Sequence, residues 1–197
     1  MLVVEGYSDL RFYAEVLESL GRLSGVFIKE FGGRSDLEVK LEDFLRPDLV
    51  AAKEAIGVIV DANGDRDSIV ARLERRLSVL TGQEVKQGGW TQGGPRIGLL
   101  VVGGAAGAGE VETLVWESWI ADPANAVAHR CIESFVACME QNAKLSPRSP
   151  EKGRLAALLA IRNDDDPRLG PGAQKKIFDF TRPELDRLCS FLGGLSQ

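Results

Sequence analysis

Three apolar runs, residues 2–4, 56–60 and 97–102, are short and carry no polar alternation. Runs of that kind are strands buried on both faces, as in parallel sheets covered by helices on either side. Between them the apolar positions recur at helical spacing. Leu10, Tyr13, Val16, Leu17 and Leu20 share one face, and Ile69, Val70, Leu73, Leu77 and Leu80 share another. Ser8 and Asp67 are the expected N-caps of these two helices. A further strand is expected at residues 26–28, a helix from residue 35 or 36 to 45, and a weak hairpin at residues 84–86. Alternating strands and helices predict an α/β fold with a mostly parallel sheet flanked by helices. Beyond residue 120 the pattern is helical only, over residues 124–144, 150–162 and 183–195, with loops at 145–150 and 164–172. The expected organisation is an α/β domain over residues 1–120 and a helical extension over residues 121–197 packed on it.

Two of the apolar runs end in acids. Val4 is followed by Glu5, Gly6 and, at the next helix start, Asp9; Val60 is followed by Asp61-x-Asn63-x-Asp65. Open α/β sheets build their sites at the C-terminal ends of strands. Clustered carboxylates repel one another, and a hard divalent cation with oxygen ligands relieves the repulsion. Plainer readings exist. Acids near a helix N-terminus are favoured by its dipole, which accounts for Asp9 but not for a glutamate ending an apolar strand. A polar turn accounts for Asn63 and Gly64 but not for an aspartate closing a buried strand. A calcium loop starting at Asp61 would need a glutamate at its twelfth position, where Arg72 stands. Glu5, Asp9, Asp61, Asn63, Asp65 and Glu112 are therefore the candidate ligands, with Mg²⁺ or Mn²⁺ as the expected cofactor.

The formal net charge is −5, from 24 Lys and Arg against 29 Asp and Glu, which excludes duplex binding by sheer basicity but not a nuclease with an acidic metal site. Arg34 and Arg66 are the candidate phosphate contacts near the acids. Arg148, Lys152, Arg154, Lys175 and Lys176 contact phosphate or form a solvated face. The loop of residues 103–109 is rich in glycine and could cradle a phosphate on its amides. It has no Walker lysine, and Glu110 and Glu112 at the following helix start would repel a phosphate placed there without a metal. His129 is the single histidine and reads as structural; Cys131 and Cys138, seven apart, read as packing residues on one helix face. Three cysteines without close ligand spacing fit a reducing cytoplasmic location. No apolar run approaches a membrane span, and the strand-like first residues leave no expected targeting peptide.

The segments Val3-Val4-Glu5-Gly6-x-x-Asp9 and Ile59-Val60-Asp61-x-Asn63 resemble the Toprim domain. That domain is shared by topoisomerases, bacterial primases, ribosomal-RNA maturases and nucleases of the "overcoming lysogenization defect" family. The motifs cover about the first 115 residues, and with Gly109-x-x-Glu112 and the helical tail the chain is most similar to stand-alone bacterial Toprim-like proteins of unassigned function. The resemblance implies a Rossmann-like Toprim sheet of about four parallel strands. It implies Glu5 as general acid/base or metal ligand, and Asp61 as a Mg²⁺ ligand. Asp9 and Glu112 would be the further acids of the nuclease branch. Asn63 stands where Toprim proteins carry a second aspartate; it costs the site one negative charge, which Asp65 would restore.

The leading expectation is a Mg²⁺- or Mn²⁺-dependent phosphodiesterase acting on DNA or RNA. The rival, favoured by Asn63 and the acidic surface, is a non-catalytic binding module or defence-system subunit with a protein partner. A third is a nucleotide-binding regulator using the loop of residues 103–109.

Overall fold

The structure is a computed structural model, and it describes residues 1–146, 149–163 and 165–196. Arg148 and the side chains of Arg34, Ser35, Glu38 and Pro47 lie outside the described set. Five strands form one sheet: β1 (Leu2–Val4), β2 (Ile28–Glu30), β3 (Ala55–Asp61), β4 (Gly89–Trp90) and β5 (Arg96–Val102). The order is β2-β1-β3-β5-β4, parallel except where β4 runs against β5. The architecture is thus α/β with a mostly parallel, Rossmann-like sheet flanked by helices.

Side chains alternate between the two faces of a strand, and both faces are covered. On one face Val3, Ile56, Val58, Val60, Ile97, Leu99 and Val101 pack beneath α2 (Arg34–Phe44) and α4 (Arg66–Thr81), through Leu37, Leu41, Ile69, Leu73 and Leu77. On the other face Leu2, Val4, Ile59, Leu100 and Val102 meet α1 (Tyr7–Ser19) and α5 (Val111–Ile120). The same core takes in Ile132 of α6 (Ala126–Cys138), Leu155 and Leu159 of α7 (Pro150–Arg162), Ala173 of α8 (Leu169–Gln174) and Leu192 of α9 (Asp186–Gly193). A four-residue helix, α3 (Pro47–Val50), lies between α2 and β3.

Several local expectations shift. The second strand lies at Ile28–Glu30 rather than residues 26–28, because the Val26 N–H donates to the Leu23 carbonyl in a turn. No strand forms at residues 84–86; β4 forms instead where Trp90 gains cover from Phe191. The expected loop at residues 164–172 runs into α8, a helix that glycines and a proline would not nucleate alone and that α1 and α7 pack against. The N-cap of α1 is Gly6 rather than Ser8, and that of α4 is Asp65 rather than Asp67. Cys131 and Cys138 are exposed rather than packed.

The connections place the site. After β1 the chain moves to one side to form β2, then crosses to the other side for β3. The reversal leaves a crevice beyond the C-terminal ends of β1 and β3, where doubly wound sheets bind their ligands. Glu5 follows β1 directly and Asp61 is the last residue of β3.

Candidate functional site

Glu5 and Asp61 meet across this crevice. The Asp61 backbone N–H donates to Glu5 Oε1 at 2.8 Å, a contact between residues 56 apart in sequence. Asp61 in turn accepts from the Val111 N–H through Oδ1 at 2.9 Å, so it satisfies a backbone donor at the start of α5. Asp9 sits in the first turn of α1 and accepts from the Gly6 N–H at 2.9 Å. Glu112, in the first turn of α5, is only 8% exposed.

Burial and mutual charge mark these four carboxylates as electrostatic neighbours. Asp9 is raised from 3.8 to about 7 by burial, then by the charges of Glu112 and Glu5, against the Gly6 hydrogen bond and Lys152. Asp61 is held well above the ordinary carboxylate range by burial and by the charges of Asp9, Glu5 and Glu112. Tyr13, buried beneath, keeps its phenolic proton to unusually high pH, through burial and the same four acids. Like charges in a low-dielectric crevice favour the protonated form, which is the pattern seen here.

Among the described residues, a cation reaches the Glu110–Glu112 end of the acids. Lys152 of α7 lies 3.0 Å from Glu110 Oε2 and 3.2 Å from Glu112 Oε1. Its own burial works against its charge, but Glu112 and Glu110 outweigh that and lift its pKa. The second carboxylate oxygen of Glu112, Oε2, is buried without a hydrogen-bond partner among the described residues. Asp9, Glu112 and Lys152 border a cavity of about 470 Å³ between α1, α7 and the turn before α8. The donors are all carboxylate oxygens, the set that Mg²⁺ and Mn²⁺ take, and the buried, unpartnered Glu112 Oε2 is an acceptor a cation would satisfy. Among the described residues, however, no three of the His, Cys, Asp and Glu side chains stand close enough together to hold a metal ion as placed. Lys152 takes the cationic role at the Glu110–Glu112 end.

Of the residues singled out from sequence, Glu5, Asp9, Asp61 and Glu112 come together; Asn63 and Asp65 do not join them. Asn63 is exposed with a left-handed φ of 41°, and its N–H donates to the Gly109 carbonyl. Asp65 is exposed and spends its carboxylate on the N-cap of α4, accepting from the Ser68 N–H at 3.2 Å. A polar turn followed by a cap is the simpler account of both. The Arg34 side chain lies outside the described set, and Arg66 faces a different cavity beside Gly107. Three of the amides expected to cradle a phosphate are already engaged: Gly104 donates to the Ala108 carbonyl, Gly107 to the Gly104 carbonyl and Ala105 to the Glu117 carboxylate. Lys152 carried no sequence signal that set it apart from the other tail cations, because its partners are more than 35 residues away. His129 lies edge-on to Trp116 and 3.4 Å from Glu133.

A family model described as protein of unknown function (DUF3226) matches residues 1–197. The chain belongs to the DUF3226 family. No curated protein and no solved structure matches the chain. Among the described residues of this DUF3226 member, no helix is long and apolar enough to cross a membrane.

Proposed function

We propose that this DUF3226 member has a Toprim-like site and acts as a Mg²⁺- or Mn²⁺-dependent phosphodiesterase on DNA or RNA. Support comes from the junction of Glu5 and Asp61 at the strand-order reversal, with Asp9 and Glu112 facing them. The candidate ligands are Glu5, Asp9, Asp61 and Glu112. A divalent cation bound there supplies charge neutralisation for a phosphodiester. The chain's own groups supply the rest. The Asp61 N–H orients Glu5, and the Val111 N–H orients Asp61. Without a cation Asp9 is held up at about 7, so a cation bound there displaces its proton near neutrality. Lys152 is placed to meet phosphate charge beside Glu112 once it leaves its carboxylate partners.

The test is cleavage of single- and double-stranded DNA and RNA with Mg²⁺ or Mn²⁺, run beside Mn²⁺ calorimetry. Asp61→Ala should abolish cleavage and weaken Mn²⁺ binding. Cleavage that persists in Asp61→Ala with EDTA present rules the mechanism out. The second reading, a non-catalytic binding module or defence-system subunit, draws on Lys152, which already supplies a positive charge to Glu110 and Glu112. It requires no Mn²⁺ binding and no turnover of any polynucleotide.

A further inference from the structure

We infer that the cavity between the β5–α5 loop and α9 is a binding pocket for a mononucleotide, separate from the carboxylate crevice. It encloses about 730 Å³, within the range of about 300–1,000 Å³ that small-ligand sites occupy. Its floor is apolar: Leu100 and Leu188 are buried, and Leu114 lies beside them. Two arginines from separate elements line it, Arg66 at the start of α4 and Arg187 on α9.

Neither arginine has an ion pair or hydrogen bond among the described residues, whereas both acids on the cavity wall are engaged. Glu117 accepts from the Ala105 N–H at 2.6 Å, and Glu184 lies 3.6 Å from Arg182. The arginines are held over glycine backbone. A Cβ on Gly107 would lie 3.3 Å from Arg66 Cδ, and one on Gly88 would lie 2.9 Å from Arg187 Nη2. Both glycines have left-handed φ, 80° and 77°, so larger residues are disfavoured there on two counts.

This combination selects a ligand. Two guanidinium groups without partners among the described residues fit an oxyanion that accepts paired N–H donors, and phosphate is the common one. The apolar floor fits a flat ring system. The Oε1 atoms of Glu117 and Glu184, outside the contacts made by Oε2, can accept from hydroxyl or amine donors, as acids do beside a ribose. A nucleotide carries all three features; inorganic phosphate carries the first and a nucleoside only the other two. With three of the loop amides already engaged, the two charged guanidinium groups are the stronger anchors for the anion.

Calorimetry on the full chain in EDTA, titrating AMP, GMP, CMP and UMP in turn, decides the matter without any dependence on metal or turnover. At least one should bind at one site per chain, more tightly than inorganic phosphate or the matching nucleoside. Arg187→Ala, at an exposed position, should weaken that binding by about tenfold or more with an unchanged melting temperature, and Arg66→Ala should act likewise. Arg187→Lys, which keeps the charge but loses the paired donors, should also weaken it. Asp61→Ala should leave it unaltered, so that failure of the metal-site proposal and failure of this one are told apart. Absence of binding by all four at millimolar concentration overturns the inference. So does equal affinity for phosphate, or an affinity indifferent to both arginine substitutions.

Discussion

Asp9 holds its proton to about pH 7 because burial and the charges of Glu112 and Glu5 outweigh the hydrogen bond from Gly6. In the unfolded chain the same carboxyl titrates near its ordinary value of 3.8. The folded state therefore binds the extra proton between those two values. Its contribution to stability is fully present below about pH 4 and is lost as pH rises through about 7. In EDTA, Asp9→Asn should match the parent chain near pH 4 and melt on the order of 5 °C higher at pH 8. A difference that stays flat across that range would show that Asp9 is not under strain from its neighbours. Asp65 has a different role. It caps α4 and stands apart from the acids, so Asp65→Ala should cost about 1 kcal/mol in urea denaturation and leave Mn²⁺ affinity unchanged.

At the scale of elements, α5 and α7 depend on each other through charge. Helix α5 is buried nearly all round and starts with Glu110 and Glu112, which α7 answers with Lys152. Lys152→Met keeps the aliphatic stem and removes the cation. Breaking a fully buried pair costs about 3–5 kcal/mol. The lysine side chain is 52% exposed, so a loss of about 1–2 kcal/mol in chemical denaturation is the expected result. Adding Glu112→Gln should restore part of that loss, and a double-mutant cycle measures how much. Additive effects would mean that the two groups do not interact. The elements whose residues carry their own periodicity, α1, α4 and the central strands, were legible along the chain. Helix α8 was not, since Gly170, Pro171 and Gly172 disfavour a helix locally and only packing on its neighbours supports one.

Across the whole molecule, the C-terminal helix is fastened to the sheet through Trp90. The ring stacks on Phe191 with centroids 5.0 Å apart, and its Nε1 donates to the Phe191 carbonyl at 3.1 Å. Gly98 on β5 leaves the space it fills: a Cβ there would come within 2.8 Å of the ring. Trp90→Ala should cost about 3–5 kcal/mol and expose the last residues to limited proteolysis. An unchanged melting temperature would place the anchor elsewhere. Mn²⁺ should act in the other direction. If it binds the folded crevice alone, a hundredfold excess over Kd adds about 2.7 kcal/mol of stability, and Asp61→Ala should remove that gain.

The sequence by itself determined the parallel sheet, because continuous apolar runs between amphipathic stretches have few other ways to bury both faces. It also placed Glu5 and Asp61 at the ends of their strands, since each acid follows directly on an apolar run. Only the tertiary structure decided which acids share a space. Asp65, four residues from Asp61, turns to a helix N-terminus, while Glu112, 51 residues away, arrives on the buried start of α5. It also brought Lys152 to Glu110 and Glu112, and Arg187 to the cavity beside the β5–α5 loop. The strand pattern is written in local periodicity, whereas the pairing of charges is set by helix docking, which links residues with no regular spacing along the chain.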